Sequence, residues 1–289
     1  MTASRIPLSF LILCAILGAP PPVPAASPAR YLDEVFPKVS IALDLVYGEA
    51  PLPNGRVITL RLDLYQPAGD HDKLRPAIVW VHGGGFFEGD KGDPALKALA
   101  ERFARRGYVA ISMNYRLSRG GLTDHRIMGP ILDAAADARA AIRWLRRNAA
   151  ARRIDPAKIA IGGGSAGAFT ALLVGYAPGG QGESTGPGGS SRVAAVIDFW
   201  GGLLDPAIMT RGGPPLLVVH GTADRTVPFA LAESLVRRAR EVGVVCEFHP
   251  VEDQDHAPWA QMDLFVGWVA PFLYRHLGLE EIGKKRNSF

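Results

Sequence analysis

Ile159-Ala160-Ile161-Gly162-Gly163-Gly164-Ser165-Ala166-Gly167-Ala168 is the stretch on which the reading of this 289-residue chain turns. Three apolar residues without interruption suit a strand buried on both faces of a sheet. The run from Ala166 to Val174 that follows is helix-forming. Between them, Gly163-x-Ser165-x-Gly167 sets one hydroxyl on a tight strand-to-helix turn. Such a turn needs neighbours without side chains, so that the backbone folds sharply and leaves the hydroxyl exposed. The helix start behind it offers backbone N–H groups and a partial positive field, which suits a developing oxyanion. A glycine-rich structural turn with an incidental serine is the plainer alternative.

Upstream, His82-Gly83-Gly84-Gly85-Phe86 closes the apolar run Ala77–Val81. Glycines at the end of a buried strand let N–H groups point into a cleft, where they can hold a carbonyl oxygen that turns negative. His82 itself reads as an orienter of that loop rather than a base. A nucleophilic serine also needs a base, and the base needs a carboxylate to fix its tautomer. Of the seven histidines, His71 and His125 lie in polar segments before the serine, His82 and His220 close apolar strands, and His276 belongs to the C-terminal helix. His256 follows the last strand by the short acidic loop Glu252-Asp253-Gln254-Asp255, and it is the preferred base, with His249 second. Asp224, in the loop His220–Pro228 after a buried strand, is the preferred acid; Asp198 and Asp205 are alternatives, and Asp253 and Asp255 read as solvated loop charges. The chain order Ser165, Asp224, His256 is one of the orders such sites use.

Further out, Val39–Tyr47 and Val57–Tyr65 flank the turn signal Pro51-Leu52-Pro53-Asn54-Gly55 and read as an antiparallel pair at a sheet edge. From Ala77 on, continuous apolar runs alternate with helical stretches: Ala77–His82, Val109–Met113, Ile159–Gly162, Val193–Phe199, Leu216–His220 and Val244–His249. In Pro130–Arg147, Ile131, Ala135, Ala138, Ile142 and Leu145 form one buried stripe. Asp133 and Asp137 near its start, with Arg143, Arg146 and Arg147 near its end, complement the helix dipole. Phe229–Val242 and Trp259–Leu277 read as further helices. The fold class is α/β: an eight-stranded, mostly parallel sheet flanked by helices. The Gly/Ser/Pro-rich stretch Ala177–Arg192 reads as a surface excursion.

At the N-terminus, Arg5 precedes an apolar run from Leu8 to Leu17 and then Val23-Pro24-Ala25-Ala26. That pattern describes a secretory signal peptide over residues 1–25, ahead of one catalytic domain over 26–289, and a secreted or periplasmic protein. The run is too short to span a bilayer, which needs about 20 apolar residues. Loss of Cys14 would leave Cys246 unpaired, so the domain is held by its core. Net charge is a modest +4, and the basic run Lys284-Lys285-Arg286 reads as a solvated tail, so no nucleic-acid partner is expected. No cysteine/histidine cluster has metal-ligand spacing, so neither metal nor cofactor is expected.

The sequence resembles the α/β-hydrolase superfamily, specifically its esterase/lipase group with a His-Gly-Gly-Gly loop. It is similar to hormone-sensitive-lipase-type and acetylxylan/feruloyl-type esterases. The resemblance rests on Leu62–Pro67, His82–Phe86, Asn114-Tyr115-Arg116-Leu117, Asp155-Pro156-x-Lys158-Ile159, Gly162–Gly167 and His220–Pro228. It implies Ser165, Asp224 and His256 as nucleophile, acid and base, and the N–H groups of Gly84, Gly85 and Ala166 as oxyanion donors. The segment before Ala77 is too short for a helical cap and Phe199–Pro214 too short for a lid, so an open, shallow pocket is expected, with little or no cap domain. Trp200 is a candidate wall of that pocket or a packed core aromatic, and Phe86 and the loop from Tyr115 to His125 are weaker candidates. The expected substrate is a small-molecule or polysaccharide-linked ester of a short acyl group. A prolyl-peptidase-like serine peptidase and a non-catalytic binding protein on the same fold are the competing readings.

Overall fold

The computed structural model describes residues 28–72, 74–118, 127–177 and 189–280. The proposed signal segment, His125 and most of the Ala177–Arg192 stretch lie outside the described residues.

Eight strands form one sheet in the order β1-β2-β4-β3-β5-β6-β7-β8. The strands are β1 (Val39–Pro51), β2 (Val57–Pro67), β3 (Arg75–Val81), β4 (Val109–Met113), β5 (Ile154–Gly164), β6 (Ala195–Phe199), β7 (Leu216–Gly221) and β8 (Cys246–Val251). β1 and β2 pair antiparallel at the edge, and β2 joins β4 antiparallel. Every other pairing is parallel. The two kinds of pairing explain the two sequence textures. β3 to β7 are covered on both faces, so their apolar runs are continuous. β1 is exposed along much of its length, and two register shifts against β2 break any regular alternation, so no continuous apolar run appears there.

Side chains divide between two core layers by strand parity. Val79, Val81, Ile111 and Val196 face α2 (Met128–Arg147), α4 (Ala166–Tyr176) and α5 (Phe229–Val242). Ile78, Trp80, Ile197 and Val219 face α1 (Pro94–Arg105) and α6 (Met262–His276). A short helix, α3 (Ala149–Arg152), leads into β5. No helix precedes β3 among the described residues.

The structure departs from the sequence expectation at α1, at the short α3 and at Asp137. α1 is not among the helices expected. It is nonetheless well encoded: Asp93 caps it by accepting from Ala95 N (2.9 Å) and Leu96 N (3.1 Å), Pro94 begins it, and Leu96, Leu99 and Phe103 are buried. Asp137 does not serve the dipole of α2. The helix starts at Met128, so Asp137 lies more than two turns in and is buried, where its carboxylate is gripped by Arg116 (Nη2–Oδ1 2.9 Å, Nε–Oδ2 3.0 Å) and by Arg116 N (2.9 Å). That grip anchors the segment after β4, which in turn holds the glycine loop of the site.

Candidate active site

The site sits at the C-terminal ends of β3, β5, β7 and β8, where loops from four strands converge. Ser165 follows β5 directly and begins α4, with φ +55°. A non-glycine residue at that φ is strained and persists only when its surroundings fix it. Here Ser165 N donates to Phe199 O of β6 (2.9 Å), and Ser165 O accepts from Ala168 N (2.8 Å). Gly163 and Gly167 are required by crowding: a Cβ on either would lie 2.5 Å or 2.0 Å from Val81 O of the neighbouring strand. The elbow is therefore pressed against β3, and any larger residue would push the serine out of place.

His256 lies beyond β8, on a turn completed by Ala257 at φ +56°. Its Nε2 is 3.0 Å from Ser165 Oγ, and its Nδ1 is 2.8 Å from Asp224 Oδ2. Because the carboxylate can only accept, Nδ1 carries the proton and Nε2 is free to accept from the serine hydroxyl. The Asp224 side chain is fully buried. Its Oδ1 accepts from Thr226 N and Val227 N, each at 2.8 Å, which fixes the plane of the carboxylate.

The loops bearing base and acid are joined to each other. Ala223 N donates to Gln254 O (3.0 Å) and Thr222 N to Val251 O (3.0 Å). Asp255, which by sequence reads as a solvated charge, accepts from His256 N (2.8 Å), Arg225 N (3.0 Å) and Arg225 Nε (2.8 Å). These bonds hold its pKa down at about 2. Asp255 thus clamps the base loop to the acid loop.

Asp205, His249, Asp253 and Asp198 take no part in this chain of bonds. Asp205 caps a 3-10 turn by accepting from Ala207 N (2.9 Å). His249, in β8, stacks on Trp268 (4.3 Å), and Asp253 is exposed. Asp198, fully buried on β6, accepts from Gly201 N (2.8 Å) through Oδ1, while Oδ2 has no partner among the described residues. Desolvation pushes its pKa up to about 7. A carboxyl whose folded pKa lies above its ordinary value stabilises the protein in the protonated form, and that contribution is lost as pH rises through about 7. Asp198→Asn keeps an oxygen for Gly201 N and removes the titration. Wild type is therefore expected to lose stability between pH 5 and pH 8 by a few kcal/mol more than Asp198→Asn. Urea midpoints measured at both pH values check this; parallel losses in the two proteins would contradict it.

The glycine loop is built from behind. His82 is buried, its Nδ1–H donates to Gly83 O (2.7 Å), and its ring stacks on Tyr115 at 4.2 Å. Tyr115 OH donates to His82 O and Gly83 O, both at 3.2 Å. Gly84 (φ +100°) sits where a Cβ would be 2.2 Å from Glu88 O, and Gly84 O accepts from Phe87 N and Glu88 N. Gly83, Gly84, Gly85, Ser165, Ala166 and His256 all line one cleft of about 660 Å³. Phe86 and Trp200 line it as well, both buried and both at positive φ. Trp200 is at once a wall and a core residue, since it packs on Phe199 (5.4 Å) and Trp259 (4.7 Å, edge-to-face). Trp259, Phe169, Leu231 and Ile127 complete the wall, and the sequence does not single them out as pocket residues. Trp259 has one signal, its position three residues after His256, which a helix start obscures.

The Ser165–His256–Asp224 chain beside a glycine loop, on this sheet, defines the class: an α/β-hydrolase of the esterase/lipase group. The model of the BD-FAE family matches residues 62–211, half of the chain, and the chain belongs to that family. Esterase LipC of Mycobacterium tuberculosis is 28% identical over 68% of this chain and 55% of its own length. A probable isoprenylcysteine alpha-carbonyl methylesterase of rice is 26% identical over 78% and 58%. The chain thus spans little more than half the length of these relatives. Among solved structures, Thermogutta terrifontis esterase 2 phosphorylated by paraoxon is 29% identical, covering 83% of this chain and 95% of that one, with a TM-score of 0.67. The same esterase with propionate bound gives 27%, 84%, 95% and 0.68.

Proposed function

We propose that the protein is a serine carboxylesterase acting on short-chain acyl esters. The observation that carries this is the continuous chain from Ser165 Oγ through His256 to Asp224, opening on the cleft edged by Gly84 and Gly85. In this reading His256 Nε2 takes the Ser165 proton as Oγ attacks the ester carbonyl. The oxyanion rests on the N–H groups of Gly84, Gly85 and Ala166. The tetrahedral adduct collapses, the His256 imidazolium protonates the leaving alcohol, and an acyl-enzyme remains. Water then attacks it with His256 again as base, returning Ser165 and the free acid.

The short acyl group is supported by a moderate cleft walled by aromatics, and by the relative esterase having been solved with propionate and with butyrate bound. Export to the periplasm or medium, from the pattern in residues 1–25, would set the enzyme among environmental esters, including acetyl or feruloyl groups on plant polysaccharide. The test is a substrate panel on purified protein: p-nitrophenyl esters of increasing acyl length, acetylated and feruloylated xylan, and peptide anilides. Turnover highest on acetyl to butyryl esters is expected. Cleavage of anilides in preference to every ester would point to a peptidase, and no turnover at all would overturn the reading.

A further inference from the structure

We propose that His220 is a positioning residue for the acyl-transfer reaction, a neutral Nε2–H donor that locks the Asp224 carboxylate in the orientation His256 needs. The inference rests on the esterase reading above. His220 is the penultimate residue of β7, four residues before Asp224, and is completely buried. Its Nε2 lies 2.9 Å from Val227 O and 3.3 Å from Asp224 Oδ2. A carbonyl can only accept, so Nε2 carries the proton. Val227 N in turn donates to Asp224 Oδ1 at 2.8 Å. The three residues thus close a ring: Val227 holds one carboxylate oxygen, His220 holds Val227, and His220 also reaches the other oxygen, the one bonded to His256 Nδ1.

The opposite ring nitrogen, Nδ1, is buried with no partner among the described residues, and Phe229 packs edge-on against the ring at 5.8 Å. Burial first of all lowers the pKa of His220, and the neighbouring His256 lowers it further, against the raising effects of Val227 O and Asp224. The neutral state matters. A cation here would share Asp224 with the His256 imidazolium at the moment that charge develops.

His220→Leu removes the donor, whereas His220→Gln offers an amide N–H at about the same reach. We expect His220→Leu to lower kcat roughly ten- to a hundredfold with little change in KM, and His220→Gln to recover most of it. In the Asp224→Asn background, His220→Leu should add almost nothing, because the residue acts through that carboxylate. Full additivity of the two substitutions, or equal losses for Leu and Gln, would overturn the proposal in favour of packing alone. Should His220→Leu fail to fold, nitrogen NMR of the wild-type ring decides: a protonated Nε2 and bare Nδ1 across the active pH range are required, and a proton on Nδ1 contradicts the ring. Absence of ester turnover and of fluorophosphonate labelling in wild type would instead sink the esterase reading, while the NMR result still judges the ring.

Discussion

Ser165→Ala lowers kcat for p-nitrophenyl acetate by roughly 10⁴-fold or more and leaves the folded protein intact. The size follows from what is removed. Residual rates without a nucleophile come from the oxyanion donors and binding alone, and single losses in such a unit cost about as much as losing the whole. Only Oγ leaves. The backbone bond from Ser165 N to Phe199 O and the packing of Gly163 and Gly167 on β3 do not depend on the hydroxyl. The melting temperature is accordingly expected to stay within a few degrees of wild type, as for substitutions that remove no buried contact. Rates on the same ester and melting curves for the two proteins check this. Turnover that survives Ser165→Ala would place the chemistry elsewhere.

Asp224→Asn is the second large effect, a loss of about 10⁴-fold in kcat, the scale seen when the acid of a serine triad becomes an amide. The Asn oxygen still accepts from Thr226 N and Val227 N, so the loop keeps its shape. The amide nitrogen then faces His256 Nδ1 donor to donor. His256 escapes by moving its proton to Nε2, where it points at Ser165 Oγ and can no longer accept. Asp253→Asn, on an exposed side chain, and Asp198→Asn, whose carboxyl bonds to Gly201 N and not to His256, are expected to stay within a few-fold of wild type. If Asp224→Asn keeps a near wild-type rate while either of those collapses, the wrong carboxylate has been assigned.

Most of the scaffold is legible in the chain itself, because its strands are buried on two faces and write themselves as unbroken apolar runs. The elbow is equally plain, since Gly163 and Gly167 are imposed by the approach of Val81 O and leave a spaced signature in the chain. The structure brings Ser165, His256 and Asp224 within hydrogen-bond reach, in line with their order. Pairings between distant segments are what the chain hides. Arg116 and Asp137 are 21 residues apart, and nothing local marks their bond. Asp255 looks like any loop acid until Arg225, 30 residues away, closes on it. α1 opens after a polar, glycine-containing stretch that reads as a loop, and Trp259 is disguised by the helix it introduces.

Covalent trapping reads out the identity of the nucleophile, which the geometry assigns to Ser165. Protein treated with a fluorophosphonate, then digested and analysed by mass spectrometry, should carry one adduct, on the peptide containing Ser165, formed in step with loss of esterase activity. An adduct on another residue, or full inactivation with Ser165 unmodified, would rule out Ser165 as the nucleophile.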